Sequence, residues 1–370
     1  MIAGCATWPP SNDDGKGLEQ ADKAEQVEQN TSARAYSRSD QSPGFFRMRL
    51  GTYLVTALYD GSFEINSKLM KGRSQADIIR LLRLSKQPKD VRTSVNAFLL
   101  DDGERVILVD TGASQALGAS MGKLESSLQM SGYKPENVTY VLLTHLHPDH
   151  DGVLVSDGKM AFPNAQVYLP RAEAAFWLEG DRNKDNLPVY QGQQLSLAPY
   201  QKAGRLHTFE SGKDPIAGVQ SILMSGHTPG HTGYRIRSEN ESILVWGDIV
   251  HSVATQFSDP TITLEFDVEQ SKARSTRNKV LRDAATSGEW IAGSHLPFPG
   301  IGRVQAEGKT SYRWLPVDYS HAMTASEKRQ LVVSKCCITL AEPEDVYFVD
   351  LLESTFAFLT TRRKMCLSLL

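Results

Sequence analysis

The stretch VTYVLLTHLHPDH at residues 138–150 decides the nature of this protein, because an apolar run leads directly into three histidines and an aspartate. The run predicts a buried strand, and loops that follow strands often carry functional side chains. In such a loop, alternate side chains point to one side, so His145 and His147 can share one metal ion while Asp149 and His150 turn toward a second. A single buried histidine is usually a core residue, but four potential ligands within six positions indicate a metal centre.

Three further candidate ligands stand at the ends of later apolar runs. His227 follows the run at 221–224, Asp248 ends the run at 242–248, and His295 follows the run at 289–293. Because ligand sites form beyond the carboxyl ends of strands, we expect these side chains to meet in one pocket. Five histidines and two aspartates would then give two metal sites of three ligands each, with one carboxylate able to bridge them.

Composition narrows the class of protein. The 370 residues contain 40 Lys and Arg against 43 Asp and Glu, a net charge of −3, which argues against a nucleic-acid binder. A hydrophobic content of 40% is enough for a sizeable buried core. No apolar stretch approaches the roughly 18 to 20 residues of a membrane-spanning helix, so we expect no transmembrane segment.

The chain divides into three parts by the distribution of its polar and apolar residues. Residues 1–43 are polar and predict a flexible leader, residues 44–320 carry the apolar runs of a folded domain, and residues 321–370 form a tail of unknown role. The opening Met1-Ile2-Ala3-Gly4-Cys5 resembles the end of a bacterial lipoprotein signal, although the basic and apolar regions that normally precede it are missing. A periplasmic or envelope-associated location is therefore one expectation, and a chance match is the other.

Strand and helix patterns alternate through the domain. Residues 45–62 predict paired strands that end at Asp60-Gly61, and 94–100 with 105–110 predict a hairpin. Ser74 and Asp77 form a capping box for a helix through Leu84, and further helices are expected at 117–131, 170–178 and 268–286. These elements predict an α/β protein with two mixed sheets that pack together and are covered by helices.

The motif HxHxDH followed in order by His, Asp and His resembles the signature of the metallo-β-lactamase superfamily, and the similarity spans about residues 44–320. The resemblance implies a four-layer αββα sandwich with the metals at one edge. It also implies that His145, His147 and His227 hold one metal, that Asp149, His150 and His295 hold the other, and that Asp248 bridges them. Asp110 matches the family's aspartate that orients ligand imidazoles, and His231 is expected to be structural or to support a ligand.

The resemblance implies two divalent ions, for which zinc is the first choice and manganese, cobalt and iron are alternatives. A hydroxide that bridges the ions is expected to attack the substrate, since paired metals lower the pKa of water and polarise the bond under attack. Asp149 and Asp248 are the candidate catalytic residues, and Asp149 is expected to direct the hydroxide or return a proton to the leaving group.

Other segments are similar to methyl parathion hydrolase and related lactonases, among them SPGFFRMRLG at 42–51, AFPNA at 161–165 and SHLPFPGIGRV at 294–304. Relative to the organophosphate-cleaving pattern, His251 stands where an apolar residue is usual and Leu117 where an aromatic is usual. The expected pocket residues are Leu117, Trp177, Tyr190, His251, Leu264 and Phe266. We therefore predict a small lactone or carboxylic ester as the substrate, with a phosphotriester as the alternative, and a homodimer by resemblance.

Three other functions compete with that of a lactone or ester hydrolase. A β-lactamase is disfavoured by Asp248, because those enzymes have no bridging aspartate at that place in the family pattern. A nuclease of the same fold is disfavoured by the slightly acidic charge and the lack of a long basic run. A scaffold without activity commonly lacks some of the ligands, and here every ligand of the motif is present.

Overall fold

Two packed, mixed β-sheets form the centre of the protein in the computed structural model, which describes residues 44–179 and 188–319. The predicted leader at 1–43 and tail at 321–370 lie outside the described residues, so the predicted domain limits stay predictions. Within the described part, no helix combines the length and apolar character needed to cross a bilayer.

The first sheet has seven strands in the order β1-β2-β4-β5-β6-β9-β10. Its strands are β1 Phe45–Leu50, β2 Tyr53–Asn66, β4 Asp90–Asp101, β5 Val106–Val109, β6 Tyr140–Leu142, β9 Gln166–Pro170 and β10 Leu206–Phe209. Strands β1, β2, β4 and β5 pair antiparallel, whereas β5, β6, β9 and β10 pair parallel. The β4–β5 pair confirms the predicted hairpin.

The second sheet has six strands in the order β11-β12-β13-β15-β16-β17. Its strands are β11 Val219–Leu223, β12 Thr232–Ser238, β13 Glu241–Val245, β15 Trp290–Ala292, β16 Ile301–Glu307 and β17 Ser311–Pro316. Only the β13–β15 pair in this sheet is parallel. Two short pairs lie apart: β3 Met70–Lys71 with β14 Thr263–Leu264, and β7 Val155–Ser156 with β8 Lys159–Met160.

Helices cover the outer face of each sheet. The α-helices are α1 Gln75–Leu84, α2 Leu124–Met130, α3 Pro148–Asp151, α4 Arg171–Ala174, α5 Pro188–Lys202 and α6 Gln270–Ser287. Short 3-10 turns occupy Ser67–Leu69, Gln115–Leu117 and Pro135–Asn137, and π-helical turns occupy Ala175–Glu179 and Val253–Phe257. Ser74 caps α1 as predicted, because its hydroxyl accepts a hydrogen bond from the backbone N–H of Asp77.

Three apolar layers hold the elements together. The central layer packs residues of both sheets, such as Phe98 and Val109 from the first and Tyr234 and Val245 from the second. A second layer lies between the first sheet and helices α2, α4 and α5, and a third lies between the second sheet and α6. The arrangement is therefore the αββα sandwich that the sequence predicted.

One predicted turn is wrong. Strand β2 continues through Asp60-Gly61, where the pairing with β4 shifts register in a bulge instead of ending. The reason is that the buried Asp60 carboxylate accepts hydrogen bonds from the backbone N–H groups of Ala113, Gly122 and Leu124. The helix predicted at 117–131 is also shorter, since this stretch first runs as an irregular loop that Asp60 holds, and α2 begins at Leu124.

Parallel pairing sets the position of the site. Strands β5 and β6 run side by side in the first sheet, and β13 and β15 do so in the second. Their carboxyl ends lead to Asp110 and His145 in one sheet and to Asp248 and His295 in the other. Because all four strands end at one edge of the sandwich, their following loops come together there.

Candidate metal centre

The first group of donor atoms comes from three loops. His145, His147, His227 and Asp248 each offer one atom, and these atoms lie within 4.8 Å of one another. His147 Nδ1 is 3.0 Å from His145 Nε2 and 2.9 Å from His227 Nε2, and His227 Nε2 is 3.0 Å from Asp248 Oδ2. The structure thus brings together the set predicted for the first metal.

The second group lies directly beside the first. Asp149, His150 and His295 offer atoms within 4.8 Å of one another, and His295 Nε2 is 3.3 Å from Asp149 Oδ2. Asp248 faces this group as well, with Oδ2 at 3.1 Å from His295 Nε2 and Oδ1 at 3.1 Å from His150 Nε2. Its carboxylate therefore stands between both groups, at the position expected of a bridge.

The chemistry of these donors fits two divalent cations. Ring nitrogens of His145, His147 and His227 face one another at about 3 Å, and imidazoles that converge on one point in this way suit a shared cation. His150 Nε2 and Asp248 Oδ1 are buried and lie 3.1 Å apart, and neither makes a hydrogen bond of good geometry among the described residues. Nitrogen and carboxylate ligands of this kind are those that zinc and related ions take, so the residues present fit a dinuclear centre.

Strong electrostatic coupling accompanies this arrangement. Burial alone would raise the pKa of Asp248, but the surrounding histidines, His150 and His295 foremost, hold it well below its usual value. Burial alone would lower the pKa of His227, but the carboxylates of Asp248 and Asp267 raise it to about 9. For His145, burial and the neighbouring His150 lower the pKa well below its usual value. His227 therefore holds a proton more tightly than His145 does. Bound cations would replace the positive charge of such protons, because histidine binds a metal in its neutral form.

Carboxylates behind the imidazoles fix their orientation. Asp110 accepts hydrogen bonds from His150 Nδ1 at 2.8 Å and from the backbone N–H and hydroxyl of Thr144 at 2.8 Å each. Its backbone has φ of 59°, a strained value for a residue other than glycine. Asp267 accepts from His227 Nδ1 at 2.8 Å. Such outer contacts orient metal-ligand histidines, and sequence reasoning found Asp110 but missed Asp267, which no motif marks.

His231 supports the site without joining either group of donors. It is fully buried, its Nδ1 donates to the carbonyl of Met224 at 3.0 Å, and its Nε2 accepts from the backbone N–H of Asp248 at 3.0 Å. Burial lowers the pKa of His231 to about 3, in keeping with a neutral ring that both donates and accepts. Gly247 allows this contact, since a Cβ there would lie 2.5 Å from His231 Nε2.

A cavity of about 360 Å³ opens onto both groups, a size within the range of small-molecule sites. Its walls are formed by Phe63, Leu117, Met121, His147, Pro148, Asp149, Asp248, His251, Phe266 and His295. Leu117, His251 and Phe266 were predicted to line it. Phe63 and Met121 were missed, because they belong to distant parts of the sequence that Asp60 and the bulge in β2 bring to the mouth.

Two other expected pocket residues do not line this cavity. Leu264 is fully buried in an apolar cluster beneath α1, where its side chain packs with Ile78 and Ile262. Trp177 is buried behind His147, with its ring edge-on to the imidazole at 5.6 Å between centroids. Leu264 and Trp177 therefore belong to the packed interior and not to the cavity wall. The side chain of Tyr190 lies outside the described part of the structure.

Comparison with known proteins agrees with this geometry. Residues 90–295 match the family model of the metallo-beta-lactamase superfamily. An N-acyl homoserine lactonase of Bacillus cereus is 27% identical over 203 residues, which is 49% of this chain and 74% of the relative.

Two solved structures are similar over 75% of this chain and 99% of their own. The hydrolase AbOPH, of the beta lactamase superfamily, is 39% identical with a TM-score of 0.72. AidC, a dizinc quorum-quenching lactonase with a bound N-hexanoyl homoserine product, is 27% identical with a TM-score of 0.69. Because the family model covers more than half of the sequence, the chain belongs to the metallo-beta-lactamase superfamily.

Proposed function

We propose that this metallo-hydrolase opens lactones, with carboxylic esters as related substrates, by means of a dinuclear zinc centre. The observation that carries the proposal is the shared position of Asp248 between two groups of donor atoms at the base of the cavity. The similarity to lactonases, one of them a dizinc enzyme, supports the choice of substrate and metal. Manganese, cobalt and iron suit the same nitrogen and oxygen donors and are the alternatives.

The residues that would hold the metals are His145, His147 and His227 for one ion and Asp149, His150 and His295 for the other, with Asp248 between them. Divalent ions in such a site would lower the pKa of water and polarise the carbonyl group whose carbon is attacked. Water then adds across the acyl C–O bond of the ring, and the products are a carboxylate and an alcohol on one chain.

The chain's own side chains position this reaction. Asp149 borders the cavity and is partly exposed there, so its carboxylate is placed to orient the attacking water and to return its proton to the leaving alcohol oxygen. His251 also borders the cavity, and its Nε2 lies 3.1 Å from Asp248 Oδ2. Within the described part of the chain its buried Nδ1 has no hydrogen-bond partner, whereas Nε2 faces the Asp248 carboxylate, so we assign the ring proton to Nε2.

The rest of the cavity favours an apolar acyl group. Phe63, Leu117, Met121 and Phe266 provide four apolar side chains on its walls, and Leu117 and Phe266 are partly exposed at the mouth. An acyl chain that buries against them gains about 25 cal/mol for each Å² of apolar surface removed from water. An acyl-substituted lactone suits this combination of a polar base and apolar walls.

A substrate panel tests the proposal. The enzyme, with its metal content measured, is given an N-acyl homoserine lactone, an aryl lactone, an aryl ester, methyl parathion and nitrocefin. We expect the highest kcat/KM for a lactone and loss of activity in the metal-free protein, with recovery on adding zinc. A protein with two equivalents of zinc that cleaves methyl parathion or nitrocefin faster than every lactone would overturn the assignment.

The phosphotriester alternative, the homodimer and the envelope-associated location stay predictions. Phosphotriester cleavage is tested in the same substrate panel. The homodimer is tested by light scattering in solution, and the location by fractionating cells that express the protein.

A further inference from the structure

A buried carboxylate outside the predicted site joins several parts of the metal centre. Glu173, on α4, is fully buried and does not line the cavity. Its Oε1 accepts hydrogen bonds from the backbone N–H of Leu146 at 3.0 Å and from Trp177 Nε1 at 2.6 Å. Its Oε2 accepts from the hydroxyl of Thr228 at 2.7 Å and from the backbone N–H of Gly230 at 3.0 Å. Both oxygens are therefore fully used.

Three of these donors, from Leu146, Thr228 and Gly230, belong to the two loops that supply the histidines of the first group. Leu146 stands between His145 and His147 in sequence, and Thr228 directly follows His227. One carboxylate thus ties a loop of the first sheet to a loop of the second. None of its contacts reaches the histidines of the second group, His150 and His295, among the described residues.

Close packing around Glu173 leaves the two loops little freedom. A Cβ on Gly230 would lie 2.2 Å from the backbone nitrogen of Glu173, so only glycine permits this approach. Trp177, which donates to Glu173, also packs its ring against His147. The backbone N–H groups of Leu146 and Gly230 are buried with Glu173 as their acceptor, and an apolar replacement would leave both unsatisfied.

We propose that Glu173 is a positioning residue that sets the separation of His147 and His227, and through it the metal affinity of the first group. The two imidazoles stand 2.9 Å apart between Nδ1 and Nε2, at the point where the two loops meet. The inference rests on the proposed function, because it requires that these imidazoles hold a metal ion.

The variant Glu173→Gln is the most direct test. Glutamine keeps the size of the side chain but has one oxygen, and its amide N–H₂ faces donors, so at least one backbone N–H loses its acceptor. Zinc affinity is measured by competition with a chelator on the full chain. We expect one of the two equivalents to bind about 10- to 100-fold more weakly, as is typical when an outer partner of a ligand is lost, and the other to keep its affinity.

A matched control is Glu210→Gln. Glu210 accepts a hydrogen bond at 2.6 Å from Arg171 at the start of α4, but this pair is exposed. The same chemical change at a residue that contacts the same helix should leave both zinc affinities as they are, since exposed ion pairs contribute little.

Double-mutant cycles separate positioning from general loosening of the fold. If Glu173 acts through His227, the effects of Glu173→Gln and His227→Ala on zinc affinity will be strongly non-additive, whereas those of Glu173→Gln and His295→Ala will add. Thr228→Val gives a second route, because it removes one donor to Oε2 and leaves Glu173 in place. We expect it to weaken the same equivalent by a smaller factor, even where Glu173→Gln fails to fold.

Unchanged zinc affinities in Glu173→Gln and Thr228→Val, or equal weakening of both equivalents, would overturn the positioning role. In those cases the proposed function stands, provided that the wild-type protein binds two zinc ions and opens lactones. A wild-type protein that binds fewer than two equivalents and opens no lactone would instead overturn the proposed function, and the role of Glu173 with it.

Discussion

Replacing His251 by leucine tests how the cavity distinguishes a lactone from a phosphotriester. The imidazole borders the cavity, with Nε2 at 3.1 Å from Asp248 Oδ2, and it stacks on His295 at 4.6 Å between ring centroids. Leucine has a similar volume and brings apolar surface beside Phe266, whose ring lies 5.2 Å from the imidazole. The substitution therefore removes one N–H donor from the reaction site, together with its contact to Asp248 Oδ2 and its stacking on His295.

The cost to folding should be small. The backbone of His251 donates to Gln256 Oε1 at 2.7 Å and accepts from Thr93 Oγ1 at 3.4 Å, and both contacts are independent of the side chain. Asp248 Oδ2 keeps its contacts with His227 at 3.0 Å and His295 at 3.1 Å. The variant also removes the buried Nδ1, which has no hydrogen-bond partner among the residues that the structure describes. We expect the free energy of unfolding to change by less than about 1.5 kcal/mol, as for other volume-conserving changes.

The cost to lactone opening should be larger. A hydrogen bond to a group that carries charge is worth about 1.5–3 kcal/mol. A difference of about 1.4 kcal/mol corresponds to a factor of ten in rate. The loss of this hydrogen bond should therefore lower kcat/KM for the lactone by about 10- to 150-fold. Methyl parathion gains apolar contact from leucine instead. The ratio of the two kcat/KM values should therefore move toward the phosphotriester by at least about tenfold.

The assay compares both substrates on protein of known metal content. Lactone opening is followed by acid release and methyl parathion cleavage by nitrophenol absorbance. His251→Gln is the control, because its amide keeps an N–H in the same region and should retain part of the lactone rate. A His251→Leu protein with full metal content and an unchanged ratio of rates would refute the role of this side chain in specificity.

Four other perturbations have defined outcomes. Asp248→Ala should lose at least one metal equivalent, measured by elemental analysis, and nearly all turnover, because its carboxylate faces both donor groups. Asp267→Asn should weaken zinc binding about tenfold in chelator competition, since it removes the charge that faces His227 Nδ1. Removal of metal with a chelator should lower the melting temperature, because a hundredfold excess of free metal over its Kd stabilises the folded chain by about 2.7 kcal/mol for each site. Asp60→Ala should lower the free energy of unfolding by about 3 kcal/mol or more in urea denaturation, since three backbone N–H groups lose their acceptor.

Each of these outcomes has a contrary result. Unchanged metal content and rate in Asp248→Ala would reject its bridging position. Equal zinc affinity in Asp267→Asn would show that the His227 ring is held by its packing alone. A melting temperature insensitive to chelation would mean that the donors need no cation, and a stability of Asp60→Ala equal to that of the wild type would mean that water satisfies the freed N–H groups.

Much of the fold was predictable because its signals are local. The apolar runs, the N-cap at Ser74 and the hairpin at 94–110 depend on neighbours in sequence, and each appears in the structure. The turn at Asp60-Gly61 failed for the opposite reason. An aspartate followed by glycine is typical of a turn, but Asp60 finds its three donors at residues 113–124, more than 50 positions away.

The sequence by itself determined which side chains are available for metal binding, and in what order, because HxHxDH and the three later strand ends are patterns of residue type and spacing. Only the tertiary structure decided how they meet. His295 Nδ1 donates to the carbonyl of Ser94 across 201 positions, and Glu173 joins Leu146 to Thr228. Such contacts arise from the packing of one sheet on the other, which brings together loops that no local spacing relates. The supporting carboxylates and the cavity walls therefore emerge with the fold, whereas the ligands can be read from the chain.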